Sequence, residues 1–400
     1  NTYSDVHMRT IDVYNYFISR ASKELKGKLG IIIPNSLLTQ YEYTKCRKYL
    51  LDSFAIKTII YLGENVFEDN SYPTMILIIE NLIDLNNEIH LLDVSDCANN
   101  YEKKIKIDNI DKLSLKTKQS VFLKLDQYKF LLIREDLINL ILKIKSNHKK
   151  LDDICKYVAV GIASGNDKAF VVNLNQIEEL DKRLLRKVLV GSNINKYSIS
   201  YADKYVLYIN KDTDVANCEK TLKHLEKYKV QLSSRREAKK GIIRWFELHW
   251  PRSPEQFETK KILCRQTGDS LIATIDEDNY YNLNSIIDIV LKEDVKMIYS
   301  EEYITAILNS NLMNAYYKLI VQENNKLYAE VKPVVLKELP IPLINSNELP
   351  IINEKVKKII ELNQKINSIK FNLTTDVVSN YIKALEEIEE IKVEIKETEK

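Results

Sequence analysis

The opening third of the chain alternates between a helical and a strand-like hydrophobic period. Val13, Phe17, Ala21 and Leu25 recur at helical spacing across residues 11–25, predicting an amphipathic helix with those four on its buried side. LGIIIP, residues 29–34, is a continuous apolar run closed by Pro34, and predicts a fully buried strand at the centre of a sheet. Residues 43–51 return to the helical period, and AIKTIIYL, residues 55–62, is β-branched and strand-like. Further strands are expected at residues 75–79 and 90–94. Helix, strand, helix, strand and then two closely spaced strands predict the second half of a Rossmann-like, doubly wound α/β sheet. No glycine-rich strand-to-helix turn precedes it, so the first half of the sheet is expected upstream of Asn1.

Beyond residue 99 the pattern fades into a Lys- and Asp-rich connector, followed by a helix at 135–147. Short strand-like runs then appear at 187–190, 205–209, 261–264, 271–275 and 285–290, with a helical piece at 217–236 between them. This region reads as α+β and rich in loops. From residue 351 the three-to-four spacing of Ile352, Val356, Ile359, Ile360 and Leu362 predicts a helical tail. The expected organisation is residues 1–125, the C-terminal half of an α/β domain; residues 126–342, an α+β domain; and residues 343–400, the tail.

Composition narrows the function classes. The chain has 400 residues, 45% hydrophobic and 29% charged, as a core-forming globular protein has. No apolar run reaches the length of a membrane span, and a cytoplasmic protein is expected. The five cysteines are scattered without a CxxC pair or Cys/His cluster, so free thiols are expected, with no disulfide framework and no structural metal. The five histidines are likewise scattered, and no HExxH or Ser-His-Asp pattern is present. A net charge of +2 does not announce a polyanion binder, but a near-neutral protein can still carry one basic face.

Four stretches carry candidate chemistry. In YLGENVFEDNSYPTMILIIE, residues 61–80, Phe67 stands in a polar loop between two strands, where turn chemistry alone would call for Gly, Asn or Asp. Taken by itself, Phe67 reads as a plug that packs the loop onto its domain. GIASGNDKAFVV, residues 161–172, offers two glycines for close backbone approach and donors on Ser164, Asn166 and Lys168; it is not a P-loop, and a plain surface hairpin fits it as well. LVGSNINKYSIS, residues 189–200, presents Asn193 and Lys196 among small polar groups suited to phosphates or base edges, or to an ordinary turn. SSRREAKKGIIRWFELHWPR, residues 233–252, gathers Arg235, Arg236, Lys239, Lys240, Arg244, Arg252 and both tryptophans. Phosphate neutralisation and guanine readout are the chemistry such a cluster supports. The alternative is a solvated helix end with two core tryptophans.

Together these stretches resemble the TaqI-like adenine-specific DNA methyltransferases, a family that includes type IIG restriction–modification enzymes and CamA-like orphan methyltransferases. Residues 11–38 and 47–79 resemble the later part of the methyltransferase domain, the part that follows the Asn-Pro-Pro-Tyr motif. The loops at 161, 189 and 233–252 resemble successive pieces of the target-recognition domain, and residues 308–342 resemble its end. The resemblance covers nearly the whole chain through the order and spacing of loose motifs. It implies an S-adenosylmethionine-dependent, base-flipping transferase acting on double-stranded DNA, with Phe67 stacking on the flipped adenine. It also implies DNA contacts from Arg235, Arg236, Lys239, Arg244 and Arg252, and from Asn166, Lys168, Asn193, Lys196 and Gln266. The chain departs from the family in lacking both the Asn-Pro-Pro-Tyr motif and the glycine-rich cofactor loop. S-adenosylmethionine is therefore expected mainly on a missing N-terminal half, and this fragment alone is expected to be inactive. Mg2+ is implied only if a nuclease domain lies upstream, and a monomer is expected. The alternative is a non-catalytic DNA specificity subunit of a restriction–modification or phage-defence system.

Overall fold

The computed structural model describes residues 3–8, 12–67, 72–321, 330–373 and 379–399. It is a mixed α/β structure that divides into two compact units, Asn1–Ser146 with Leu319–Gln322, and Asn147–Lys318 with Glu323–Lys400. The first unit therefore continues past residue 125 to take in the Glu135–Lys145 helix.

Its sheet has five strands: β1 (Lys28–Pro34), β2 (Ala55–Gly63), β3 (Thr74–Glu80), β4 (Glu88–Asp93) and β5 (Leu115–Lys118), in the order β1-β3-β2-β4-β5. β3 lies between β1 and β2 and runs antiparallel to both, whereas β2 and β4 are parallel. Leu77 is consequently in register with Ile31 on one side and Ile59 on the other. β2 is buried along most of its length, as a strand flanked on both sides should be.

Two expectations for this unit are corrected. LGIIIP forms an edge strand, not a central one; Ile33 is buried, but Ile32 is 49% exposed. An apolar run shows that a strand can be buried, while only its neighbours decide whether it is. The helix α1 (Tyr14–Lys23) turns its polar side inward: Asn15, Ile18, Ser19 and Ser22 are buried, while Val13 and Phe17 are 63% and 64% exposed. Hydrogen bonds hold it there, from Ser19 Oγ to Asp5 Oδ2 at 2.9 Å and between Ser22 Oγ and the Tyr49 hydroxyl at 2.9 Å. Such bonds satisfy polar groups that hydrophobic periodicity counts as solvent-facing.

The Thr44–Ser53 helix buries Arg47 completely. Its Nη1 donates to the carbonyls of Leu37 (2.8 Å) and Gln40 (2.9 Å), and Nε donates to the carbonyl of Gln127 (2.9 Å). The guanidinium thus ties three backbone segments together through carbonyl groups.

The second unit holds two four-stranded sheets. One is antiparallel throughout, in the order Ala273–Asp276, Lys261–Arg265, Ile286–Leu291, Cys155–Val160, and its first three strands are buried almost end to end. The other runs Tyr281–Asn282, Leu185–Leu189, Lys204–Leu207, Val171–Asn173. The sheets meet where the chain leaves Val160: the amide of Gly161 donates to Ile286 O (3.0 Å) and that of Ile162 to Asn282 O (2.8 Å). A Cβ on Gly161 would lie 1.9 Å from Asn282 Oδ1 and 2.5 Å from its carbonyl oxygen, so only glycine fits this junction.

The helix expected over 217–236 is three short ones, Glu219–Glu226, Lys229–Ser234 and Arg236–Lys239. Arg235, with ψ 139, breaks the last two apart. The tail forms helices Leu349–Leu373 and Ser379–Thr398 and belongs to this unit. Val356 and Ile359 pack with Tyr197 and Ile275, and Leu362 and Ile366 pack with Ile388 and Ile391. All five cysteines are free and all but Cys97 are buried. No helix among the described residues is long and apolar enough to cross a membrane.

Candidate nucleic-acid interface

Phe67 stands just beyond the end of β2. Gly63 (φ 75) and Asn65 (φ 56) take left-handed conformations that turn the chain sharply out of the strand. Gly63 is required there, because a Cβ would come within 2.8 Å of Ser95 Cβ. Val66 packs onto the cluster formed by Ile60, Leu62, Leu92 and Val94, and Lys103 Nζ donates to Glu64 O at 3.1 Å. The loop is thus anchored by the residue before the phenylalanine. Phe67 itself is 50% exposed. The plugging residue is Val66, and the aromatic ring is left facing solvent.

In the second unit the structure brings together two stretches that are far apart in sequence. Ala163 and Trp250 form a two-bond bridge, Trp250 N to Ala163 O at 2.8 Å and Ala163 N to Trp250 O at 3.1 Å. His249 N donates to Ser164 O at 3.2 Å, and Asn166 Nδ2 to Gln231 Oε1 at 2.8 Å. Loop 161–168 and segment 229–252 are therefore one surface.

The basic residues on that surface divide by role. Arg235 Nε donates to Leu232 O (2.9 Å), and Nη2 donates to the carbonyls of Trp245 (2.8 Å) and Glu247 (2.9 Å). Burial holds its guanidinium below the ordinary arginine range. Arg244 pairs with the buried carboxylate of Glu247, and its Nη2 donates to Asn210 O at 3.0 Å. Both side chains brace the loop by donating to this chain's own acceptors; Arg235 is half-buried, whereas Arg244 remains exposed. Arg252 sits at φ 62 with Nε bonded to Gly161 O at 3.1 Å, half-buried, which pulls its guanidinium below the usual range too. Arg236, Lys239, Lys240 and Lys168 are exposed, and their cationic ends have no ion-pair partner among the described residues. These four contribute accessible positive charge to the surface.

The other candidates lie elsewhere in the unit. Asn193 is buried; its Oδ1 accepts from Val190 N (2.7 Å) and its Nδ2 donates to Ser200 O (2.7 Å), which makes it the clasp of a turn and not a DNA contact. Lys196 Nζ donates to Asn309 O at 2.9 Å. Gln266 is half-buried, with its backbone carbonyl accepting from Val331 N at 2.7 Å.

Beneath the Gly161 junction lies a buried polar network for which the sequence carries no signal. Asp288 Oδ2 accepts from Gln256 Nε2 (2.6 Å), and Oδ1 accepts from Asn282 Nδ2 (2.5 Å). Burial pushes the Asp288 carboxyl up to about 7 against the pull of those bonds and of Lys261. Lys261 and Asp276, neither exposed, form an ion pair alongside, and Lys261 Nζ also donates to Phe257 O at 2.6 Å. Gln256 Nε2 also reaches Val160 O at 3.3 Å, so the network grips the strand end from which loop 161–168 departs.

Gly27 and Gly30 precede or lie within β1 and do not follow a strand. A Cβ at Gly27 would meet nothing within 4 Å, and one at Gly30 nothing nearer than Ile78 at 4.0 Å. No group of three His, Cys, Asp or Glu side chains among the described residues is placed to hold a metal ion.

Comparison with known proteins completes the picture. Residues 1–67 match the Eco57I restriction-modification methylase family, and residues 186–341 match the TaqI-like C-terminal specificity domain. A Methanocaldococcus jannaschii protein assigned as a type II restriction enzyme and methyltransferase is 26% identical over 379 residues, spanning 92% of this chain and 27% of that protein. The DNA complex of MmeI, a type IIL restriction-modification enzyme, superimposes with a TM-score of 0.54 at 12% identity, covering 97% of this chain and 50% of the other. At that identity the likeness is one of fold. Residues 1–67 are thus similar to the restriction-modification methylases and residues 186–341 to the TaqI-like specificity domains, and the chain spans about a quarter of the length of the curated relative it matches.

Proposed function

We propose that this chain is the C-terminal part of a site-specific adenine DNA methyltransferase, and that its second unit reads the DNA site. The observation that carries the DNA reading is the surface made by loop 161–168 and segment 229–252, where Arg236, Lys239, Lys240 and Lys168 stand exposed on a frame braced by Arg235 and Arg244. Exposed cations on a hydrogen-bonded frame suit phosphate contacts, which position a protein on the duplex. Phe67 supplies the aromatic wall for an adenine swung out of the helix. Its support is an exposed ring on a loop fixed by Gly63 and Val66. The methyl donor in this reading is S-adenosylmethionine, held mainly by residues outside this chain. Mg2+ enters only with a separate nuclease domain.

Fluorescence anisotropy of the 400-residue chain with labelled duplex tests the DNA reading. Binding should weaken steeply with salt, and the triple variant Arg236→Ala, Lys239→Ala, Lys240→Ala should flatten the log–log slope by about 2 to 3, at about 0.9 per phosphate. An unchanged slope removes this surface from the reading. For the flipping role, Phe67→Ala in the complete methyltransferase should cost about 1–3 kcal/mol of base stacking, read as a roughly 5- to 150-fold loss of methyl transfer to adenine. Full transfer by that variant would return Phe67 to a structural role.

A further inference from the structure

The basic surface has an apolar centre. Trp250 is 50% exposed and Ile242, on the same segment, is 65% exposed. Ile242 N donates to the Glu237 carbonyl at 2.9 Å, and Nε2 of His249, the residue before Trp250, lies 2.9 Å from the Glu237 carboxylate. The Trp250 backbone is locked by the bridge to Ala163, and the His249 ring sits behind the indole at 5.2 Å with an interplanar angle of 30°. Gly165 closes the back of this arrangement, since a Cβ there would meet His249 Cβ at 2.9 Å. The chain's other tryptophan, Trp245, packs against the core with Lys229 over its ring at 5.0 Å. One tryptophan is therefore a core residue, while the other is held out on a rigid backbone.

A half-exposed indole and an exposed isoleucine on the same surface as Arg236, Lys239, Lys240 and Lys168 match an occupant that offers both apolar and anionic groups. Of the acidic groups on these stretches, Glu247 is paired with Arg244, Glu237 lies beside His249, and Asp167 accepts from Ser164 Oγ. Nucleic acid has that distribution, with bases and sugars between phosphate rails. Resting on the DNA reading above, we infer that Trp250 is a contact residue, its indole packing against base or sugar in the groove while the surrounding cations take the phosphates, and that Ile242 flanks it. Trp250 then contributes to affinity without contributing to the salt slope.

The test uses the full 400-residue chain and a labelled duplex of mixed sequence. Trp250→Ala should weaken binding about tenfold, the size of one lost aromatic stack, with the salt slope unchanged and the thermal midpoint within a degree or two. In Trp245→Phe the sole remaining tryptophan is Trp250, and with excitation selective for tryptophan, duplex should shield it from quenching by acrylamide, a neutral probe that phosphate does not repel. If the chain binds duplex but Trp250→Ala binds as tightly and acrylamide still reaches Trp250, the contact is disproved and the DNA reading stands. If the unmodified chain does not bind at low salt, both fall together.

Discussion

Replacing Asp288 with asparagine should change the pH dependence of stability in a way that isolates one buried carboxyl. In the folded protein burial raises its proton affinity from the ordinary 3.8 to about 7. At about 1.36 kcal/mol for each tenfold change in proton affinity, ionising it inside the fold costs about 4 kcal/mol. The sign follows from linkage. Below pH 3.8 the carboxyl is neutral in both states and carries no penalty. As pH rises toward 7, the unfolded chain releases its proton while the folded one holds it, so stability falls, levelling off above 7. Asp288→Asn cannot ionise and should escape that decline. The new amide needs an acceptor, and Asn282 Oδ1, buried and without a partner among the described residues, becomes available when the Asn282 amide rotates. Denaturant unfolding followed by tryptophan fluorescence is the assay of choice, because both emitters lie in the second unit. The variant should gain on the parent progressively from pH 4 to 7, and be the more stable by a few kcal/mol at pH 8. Curves that run parallel across that range would show that Asp288 is ionised in the fold at little cost, and the account of the network would be wrong.

Three further substitutions probe the frame. Gly161→Ala would place its Cβ 1.9 Å from Asn282 Oδ1, and should cost more than about 3 kcal/mol in thermal unfolding while abolishing duplex binding. Gly63→Ala adds a left-handed penalty of about 1–2 kcal/mol to a 2.8 Å clash with Ser95; limited proteolysis should show the Phe67 loop cut faster. Arg47→Met removes the donor from three backbone carbonyls, that of Leu37 buried, and should lower the stability of the first unit by about 1–3 kcal/mol, read by far-UV circular dichroism.

The sequence announces much of the strand inventory, because β-branched runs such as AIKTIIYL have few other uses. Its blind spots are equally physical. Periodicity assigned α1 a buried face of Val13 and Phe17, because it has no knowledge of the acceptors, such as Asp5, that make Ser19 and Ser22 affordable inside. Clustering picked out the 233–252 segment correctly as a unit but could not rank its cations. Arg235 and Arg236 are adjacent and chemically identical, and only the carbonyls of Trp245 and Glu247 separate brace from free charge. Asn193 was misjudged for the same reason, since an amide that can read a base can equally clasp a turn. The Asp288 network gave no sign at all, being assembled from residues 256, 282 and 288, whose neighbours look like ordinary strand.

The two flanks of the first unit's sheet are chemically unlike. β5, LKTK, presents Lys116 and Lys118 in a four-residue stretch, the kind of charged, short border that discourages another chain from adding on. β1, KLGIIIP, is seven residues long with three successive isoleucines and only a terminal proline to interrupt it. Growth of this sheet is therefore polar in the geometric sense: an added segment would zip onto the isoleucine border and be turned away at the lysine one. When the chain is handled alone at high concentration, self-association should begin along β1, and a single lysine in place of Ile32 is the change best placed to stop it.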